Sequence, residues 1–426
     1  MPRADTMTDF TRRTLAHIRL GGWPVILRKL KSALLRFAFP VVAMICAPLL
    51  VVLRPILWVR FGMIYGTRIG HMSYRLAYYL AERELGVQPQ RAIDIFFVKG
   101  IPANQTVARL IRRSVTTSDL AQPFFRIYSR LPWMKNHIVR IRQTEQNRDR
   151  DLDGVLARTA PHVRLSPDEE TAGQQALNQH GIADTAHWVC FLARDPAYLR
   201  DGLASGVDDK WREQEKRHGH RNMDAQTFLP AMEELAAQGI HSLRMGAAVE
   251  RPLQSANPLI HDYANSFRSD QLDVYLVSRC DFMVSSGSGL DALTDLFRRP
   301  VVFVNHVTLE AVHCWLPNIT ILKRYRNRAT GKIMTFSEIV AADAGRIFDA
   351  REYDARGIDL IDNSPEEIRD ATYEMMARLN GTWQDAPGDA ERQMRFWEIL
   401  SGSPLQGPRH GRIGAKFLRD HDSLLA

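Results

Sequence analysis

The sequence predicts an α/β protein of two Rossmann-like domains preceded by an N-terminal membrane-associated helical segment, and three observations predict it. The chain has 426 residues, more than one compact core usually organises. Short apolar runs alternate with amphipathic helical stretches along most of it, the signature of strand-helix units around a largely parallel sheet. A basic N-terminus runs directly into an uncharged apolar stretch. With 45% hydrophobic and 24% charged residues the composition is that of a globular protein and excludes a disordered chain.

Residues 1–60 form the first region. The net charge of +8 suits an anionic partner, whether nucleic acid, a lipid surface or a phosphorylated substrate. Its placement discriminates among these. Arg3, Arg12, Arg13, Arg19, Arg28, Lys29, Lys31 and Arg36 face only Asp5 and Asp9, and the uncharged run Phe37 to Leu53 follows at once. That juxtaposition favours a membrane surface over nucleic acid. The run falls short of the roughly 20 apolar residues that cross a hydrocarbon core of about 30 Å. Pro40, Pro48 and Pro55 would each break or kink a helix, so a monotopic or re-entrant anchor is expected, with a single span and a buried core helix as alternatives. A cleaved signal peptide is not indicated, because no small-residue cleavage site follows the run. The four cysteines, Cys46, Cys190, Cys280 and Cys314, show no paired spacing, which points to a reducing compartment rather than a disulfide framework or zinc site.

An N-terminal α/β domain is expected over 61–165. Its units are a strand Phe61 to Tyr65, a helix Met72 to Leu85, a strand Ile93 to Val98 and a helix ending at Arg113. The charged stretch Gln143 to Asp168, with Pro161 and Pro167, reads as the linker. Ser166-Pro167-Asp168-Glu169 then has the composition of a helix start. The second domain, 166–345, has expected strands at Trp188 to Ala193, Ser242 to Met245, Leu259 to Ile260, Phe282 to Ser285 and Val301 to Asn305. Residues 346–426 are left as C-terminal helices, one near Pro365 to Leu379, and a polar tail.

The best-defined unit for chemistry runs from a helix at Ser269 to Cys280, through the strand ending at Ser285, to the loop Ser286-Gly287-Ser288-Gly289 and a helix from Leu290. Such a loop aims backbone N–H groups and hydroxyls at a helix N-terminus, where unsatisfied donors and the helix dipole favour a phosphate. Plain turn chemistry, which tight strand-to-helix connections also require, is the alternative. Arg194 and Arg244 end predicted strands, where ligand contacts of open α/β sheets gather, and a guanidinium fork suits a diphosphate. Surface pairing of Arg194 with Asp195 competes with that role. Arg268 is a lesser candidate. His218-Gly219-His220 lacks a partner at metal-ligand spacing and reads as a solvated loop, and Asp149-Arg150-Asp151-Leu152-Asp153 as a solvated charged run. No nucleophile elbow, Walker loop or dinucleotide fingerprint is present.

The segments Arg244 to Gly246, His261 to Ser266, Ser269 to Leu290 and Pro300 to Asn305 resemble the donor-binding half of a family of bacterial glycosyltransferases associated with surface-polysaccharide gene clusters. Trp188 to Leu199 and His220 to Ile240 are similar to the same family, so the resemblance runs through the second domain. Family members carry a histidine before the arginine that ends the first strand of this domain; here Leu192-Ala193 precede Arg194, and no imidazole role is carried over. The resemblance implies the two-domain GT-B architecture and a donor site formed by Arg194, Arg244, Ser285, Ser286, Gly287, Ser288, Gly289 and Leu290. The loop Tyr65 to His71 resembles the glycine-rich, histidine-ended loop of lipid-linked N-acetylglucosaminyltransferases. That likeness implies His71 as the base taking the acceptor hydroxyl proton, with capping or packing as the alternative. Arg68, Lys99 and Asn104 are the acceptor-side candidates.

The expected function is therefore transfer of a sugar from a nucleotide-sugar co-substrate to a membrane-proximal or lipid-linked glycan acceptor, without a cofactor or tightly bound metal. The site would lie at the cytoplasmic face of the inner membrane, where nucleotide sugars are supplied. A sugar-nucleotide epimerase of the same architecture and a non-catalytic glycan-assembly protein are the alternatives.

Overall fold

The computed structural model describes residues 39–145, 150–200 and 210–426. The basic residues before Phe37 and Asp149 of the charged run lie outside them. In chain order the N-terminal part holds α1 (Phe39–Leu53), β1 (Val59–Tyr65), α2 (Ile69–Glu84), β2 (Ile93–Lys99), α3 (Gln105–Ser114) and α4 (Ala121–Tyr128). There follow α5 (Pro167–Asn178), β3 (Trp188–Leu192), β4 (His241–Met245), β5 (Ile260–His261), α6 (Asp270–Arg279), β6 (Phe282–Ser285) and α7 (Ala292–Phe297). The chain continues with β7 (Val301–His306), β8 (Ile319–Leu322), β9 (Arg324–Asn327), β10 (Ile358–Ile361), α8 (Pro365–Leu379) and β11 (Arg412–Ile413).

Seven strands make one sheet in the order β11-β8-β7-β6-β3-β4-β5, every pair parallel. Parallel strands are covered by helices on both faces, so they must be apolar throughout rather than alternating. β3, β4, β6 and β8 are buried at every position; β3, β4 and β6 were among the expected strands and β8 was not. Helix starts are fixed by side-chain caps. The Ser166 hydroxyl accepts the Glu169 N–H at 3.3 Å while Glu169 accepts the Ser166 N–H at 2.9 Å, and the Ser269 hydroxyl accepts the Leu272 N–H at 3.1 Å. A second two-stranded sheet pairs β1 with β2.

The chain divides into two compact units, and the division differs from the expected boundary near 165. The smaller takes its described residues from Met1–Met63, Gln90–Val98 and Val115–Arg140; the larger is Ile64–Pro89, Lys99–Ser114 and Ile141–Ala426. Both helices of the expected N-terminal domain, α2 and α3, thus belong to the larger unit. The reason is contact at long sequence separation. A Cβ on Gly70 would lie 3.3 Å from the Gly289 carbonyl oxygen, and Asn104 Nδ2 donates to the Asp270 carbonyl at 2.9 Å.

Three further expectations are corrected. The charged run is buried where it is described: Arg150 is 6% exposed and Asp151 fully covered. Arg150 donates to the Val312 carbonyl at 2.7 Å and the Leu405 carbonyl at 3.2 Å, and the Asp151 carboxylate accepts the N–H groups of Val155 and Leu156, both at 2.7 Å. The stretch read as a linker therefore buries Val155, Leu156 and Val163 against the protein. The polar tail adds β11 to the edge of the large sheet, Arg412 opposite Ile319. No helix among the described residues is long and apolar enough to cross a membrane.

Replacing Arg150 with Met keeps volume but strands buried carbonyls. A loss of roughly 2–4 kcal/mol is expected, read as a lower urea midpoint at unchanged slope. A midpoint equal to the parent's would show that these contacts do not hold the segment down.

Candidate functional site

The sheet order reverses at one place. From β3 the chain steps outward to β4 and β5, then returns to the other side of β3 as β6 and proceeds outward through β7 and β8. Connections leaving the C-terminal ends of β3 and β6 consequently diverge, and a crevice between such ends is where open α/β sheets bind ligands. Two hydrogen bonds fix its floor: the Ser286 N–H donates to the Leu192 carbonyl at 3.1 Å and the Arg194 N–H to the Ser286 hydroxyl at 2.8 Å.

The loop Ser285 to Leu290 rises from this floor. Gly287 adopts a φ of +82°, a left-handed turn that favours glycine. The loop is organised by Asp291, whose carboxylate accepts the Ser285 hydroxyl at 2.9 Å and the Ser288 N–H at 2.8 Å. Burial pushes the Asp291 carboxyl up to about 6, against those hydrogen bonds and the positive field of Arg221. The chain's own carboxylate thus takes part of the donor set that the sequence assigned to a phosphate. The N–H groups of Gly289 and Leu290 belong to the first turn, where no intrahelical acceptor exists, and Gly289 is exposed.

Positive charge converges on the same end of the sheet. Arg194, at the end of β3, is held by Asn222 and lies 3.7 Å from a Glu215 carboxylate oxygen. Arg221 makes no ion pair or side-chain hydrogen bond among the described residues, and its Nε is buried without a partner. Burial, then the fields of Arg194 and Arg68, lower its pKa to about 10, so it stays charged at neutral pH. His218 is pushed down to about 4 by burial and the charges of Arg221, Arg194, Arg217 and Arg68. His220 is pushed to about 3 by burial with Arg221, Lys323, His218 and Arg194, and its Nδ1 also lacks a partner among the described residues. The His218 to His220 segment, expected to be solvated, is half-buried within an arginine cluster.

The loops of the first strand-helix units join this neighbourhood. Arg68 is exposed at the N-terminus of α2, and its charge reaches His218, Arg221 and Tyr198. Gly70, in the first turn of α2, packs on Gly289, so the backbone that carries His71 runs beside the Ser285 to Leu290 loop. The His71 ring lies 6.0 Å from that of Tyr65, over which the Lys99 ammonium sits at 5.3 Å. Asn104 is engaged structurally: Oδ1 accepts the Val107 N–H at 2.9 Å, capping α3, while Nδ2 binds Asp270.

Arg244 is also spent on structure. It is 1% exposed, 3.1 Å from Asp262, 3.3 Å from the Arg251 carbonyl and 3.8 Å from Asp195. Arg268 pairs with Asp270 at 2.8 Å and Asp273 at 2.6 Å. An open hollow of ≈ 570 Å³ lined by Gln174, His187, Tyr275, Arg279 and Asp281 lies at the opposite ends of β3 and β6. Its charges are paired among themselves, Arg279 with Glu170 at 2.8 Å and His187 with Asp281 at 3.1 Å, so it offers an anion nothing. Of the predicted donor residues, the structure brings Arg194 and Ser285 to Leu290 together and leaves Arg244 occupied elsewhere; of the acceptor-side candidates, Arg68 shares this neighbourhood and Asn104 is engaged in capping. Arg221 is the residue that the sequence reading missed.

Fold and site together define an α/β protein with a basic, glycine-lined crevice at the switch point of a parallel sheet. Comparison with solved structures finds glycosyltransferases. A family 9 glycosyl transferase from Veillonella parvula is 10% identical with a TM-score of 0.43, over 76% of this chain and 98% of that one. The Escherichia coli ADP-heptose lipopolysaccharide heptosyltransferase II is 12% identical with a TM-score of 0.38, over 76% and 100%. The iron-containing dodecameric glycosyltransferase TibC of enterotoxigenic Escherichia coli is 10% identical with a TM-score of 0.29, over 60% of each chain. No family model and no curated protein matches the sequence. Identities and scores this low leave the chemistry to be read from this chain's own residues.

The two histidines report on the site directly. An anion seated beside a neutral imidazole favours the charged form, so pyrophosphate should raise the pKa values of His218 and His220 from about 4 and about 3. In spectra of ring-labelled histidine both should stay neutral from pH 8 to 5 without ligand and begin to titrate in that window with it. Unchanged titration under saturating pyrophosphate would place the anion elsewhere.

Proposed function

We propose that this protein transfers a sugar from a nucleoside-diphosphate sugar to a hydroxyl of a membrane-proximal or lipid-linked glycan acceptor, in cell-surface polysaccharide biosynthesis. The observation that carries this reading is that Arg221, whose Nε has no partner among the described residues, shares its surroundings with Arg194, Arg68 and Asp291 of the Ser285 to Leu290 turn, where the sheet order reverses. Such a site suits a diphosphate: guanidinium forks match its oxygens, and first-turn N–H groups supply further donors. The resemblance of the Ser269 to Leu290 and His220 to Ile240 segments to bacterial glycosyltransferases supports a sugar nucleotide as its bearer.

In the proposed reaction the acceptor oxygen bonds the anomeric carbon as the bond from that carbon to the phosphate oxygen breaks. The acceptor proton passes to His71, at the start of α2. The electron pair of the broken bond stays on the departing diphosphate, where Arg194, Arg221 and the Gly289 and Leu290 N–H groups stabilise it. Arg68, exposed at the start of α2 and within electrostatic reach of Arg221, holds either the diphosphate or an anionic acceptor. No step requires a metal.

The test is to incubate the protein with a panel of nucleotide sugars and a membrane extract and to measure nucleoside diphosphate release. Arg221→Ala should weaken nucleoside diphosphate binding about 10- to 100-fold, matching roughly 1.5–3 kcal/mol for hydrogen bonds to a charged group. His71→Ala should lower turnover about 100- to 10,000-fold at unchanged nucleotide affinity. Sugar inversion without release of the diphosphate would replace transfer with epimerisation. Failure of UDP, GDP, ADP and CMP alike to stabilise the protein thermally would remove the donor site altogether.

A further inference from the structure

The smaller unit carries a helix whose polarity is inverted. α1 docks through Ala43 and Ala47, both fully covered, and through Leu50 onto a cluster with Phe61, Phe97, Ala121, Tyr128 and Ile138. The Tyr128 hydroxyl fastens it by donating to the Ala43 carbonyl at 2.8 Å. The opposite side is exposed and wholly apolar: Val41 59%, Ile45 70%, Leu49 56% and Val52 74%. In a helix facing water, that side would be polar. The exposure continues past the C-terminus of α1 through Ile56, at 90%, and Leu57. A contiguous apolar face of this kind marks a contact surface.

Length and charge together select what covers it. Fifteen residues rise about 22 Å, short of the roughly 30 Å of a hydrocarbon core. The apolar side runs the whole length of the helix, so only a surface parallel to its axis covers all of it. The same unit holds Arg54, Arg60, Arg91, Arg126, Arg130, Lys135 and Arg140 against Asp94 and Asp119. Asp94 is already neutralised by Arg60 at 2.6 Å. A second copy of this chain would bring that excess of like charge to its own image, whereas an anionic lipid surface complements it. The eight basic residues before Phe37 carry the same sign. Trp133, 51% exposed, and Trp58, whose ring lies under Arg54 at 4.4 Å, provide the amphipathic aromatic groups that headgroup regions favour.

We infer that the exposed face of α1, extended by Ile56 and Leu57, is a monotopic membrane-docking surface. The helix lies in the plane of an anionic bilayer, with Ile45 and Val52 in the acyl boundary and the surrounding arginines at the headgroups.

The experiment uses the full chain and sedimentation with large vesicles of phosphatidylcholine alone or mixed with phosphatidylglycerol. The parent should sediment with the mixed vesicles, less so as salt rises. The double variant Ile45→Glu with Val52→Glu should bind about tenfold more weakly or worse, with an unchanged melting temperature because both side chains face outward. A dye sensitive to its surroundings, attached at Ile45→Cys, should shift to the blue on adding mixed vesicles, an independent readout should the double variant fold poorly. Equal sedimentation of parent and variant, or an unshifted dye, overturns the inference. So does a parent that ignores both vesicle types, including one whose dimer the variant converts to monomer.

Discussion

Arg221 lies in the fields of both Arg194 and Arg68, with Glu215, Asp195 and Asp291 as opposing carboxylates, and the proposed site depends on that clustering of positive charge. Like charges roughly 8 Å apart repel by on the order of 2 kcal/mol at an effective dielectric of about 20, so such a cluster persists only where a rigid frame imposes it. The frame is the seven-stranded sheet and the Leu192 to Ser286 and Arg194 to Ser286 hydrogen bonds across its reversal point. Burial first, and then this positive field, push both imidazoles down, and the Arg221 Nε lacks a partner among the described residues. An anion with several oxygens relieves all three at once.

Asp291 refines what kind of anion fits. By taking the Ser285 hydroxyl and the Ser288 N–H, it keeps the loop closed on itself and withdraws those donors from a ligand. In the proposed reading a phosphate would be met from the side of Arg221 and the first turn, not cradled inside the loop. This differs from a phosphate loop in which successive N–H groups wrap the ligand. It also accounts for the serine-glycine composition without assigning every serine a ligand contact. Gly70 packing on Gly289 brings the first turn of α2 against this loop.

Much of this was legible, and the omissions have physical causes. β3, β6 and β7 were readable because burial on both faces favours nearly unbroken apolar runs, β4 was expected despite its buried His241, Ser242 and Arg244, and Ser166 and Ser269 announced their helices through caps. β8 to β11 were not anticipated: β9 carries Arg324, Arg326 and Asn327 on an exposed ladder, and β11 is only two residues long. Arg221 escaped because its neighbours His218 and His220 were weighed as metal ligands, and the burial of this segment beside Arg194, distant in sequence, arises only on folding. Arg244 misled for the converse reason. It stands at a strand end, as a ligand contact does, but Asp262 and Asp195 reach it only through folding. The allotment of α2 and α3 to the larger unit likewise rests on contacts such as Asn104 with Asp270, 166 residues apart.

The most direct test of the account is a crystal structure with a nucleoside diphosphate bound. It should show the phosphates at the C-terminal ends of β3 and β6, hydrogen-bonded to the Arg221 and Arg194 side chains, with the distal phosphate in front of Gly289 and the Asp291 contacts intact. A diphosphate bound anywhere else, with Arg221 still unpartnered, would contradict it.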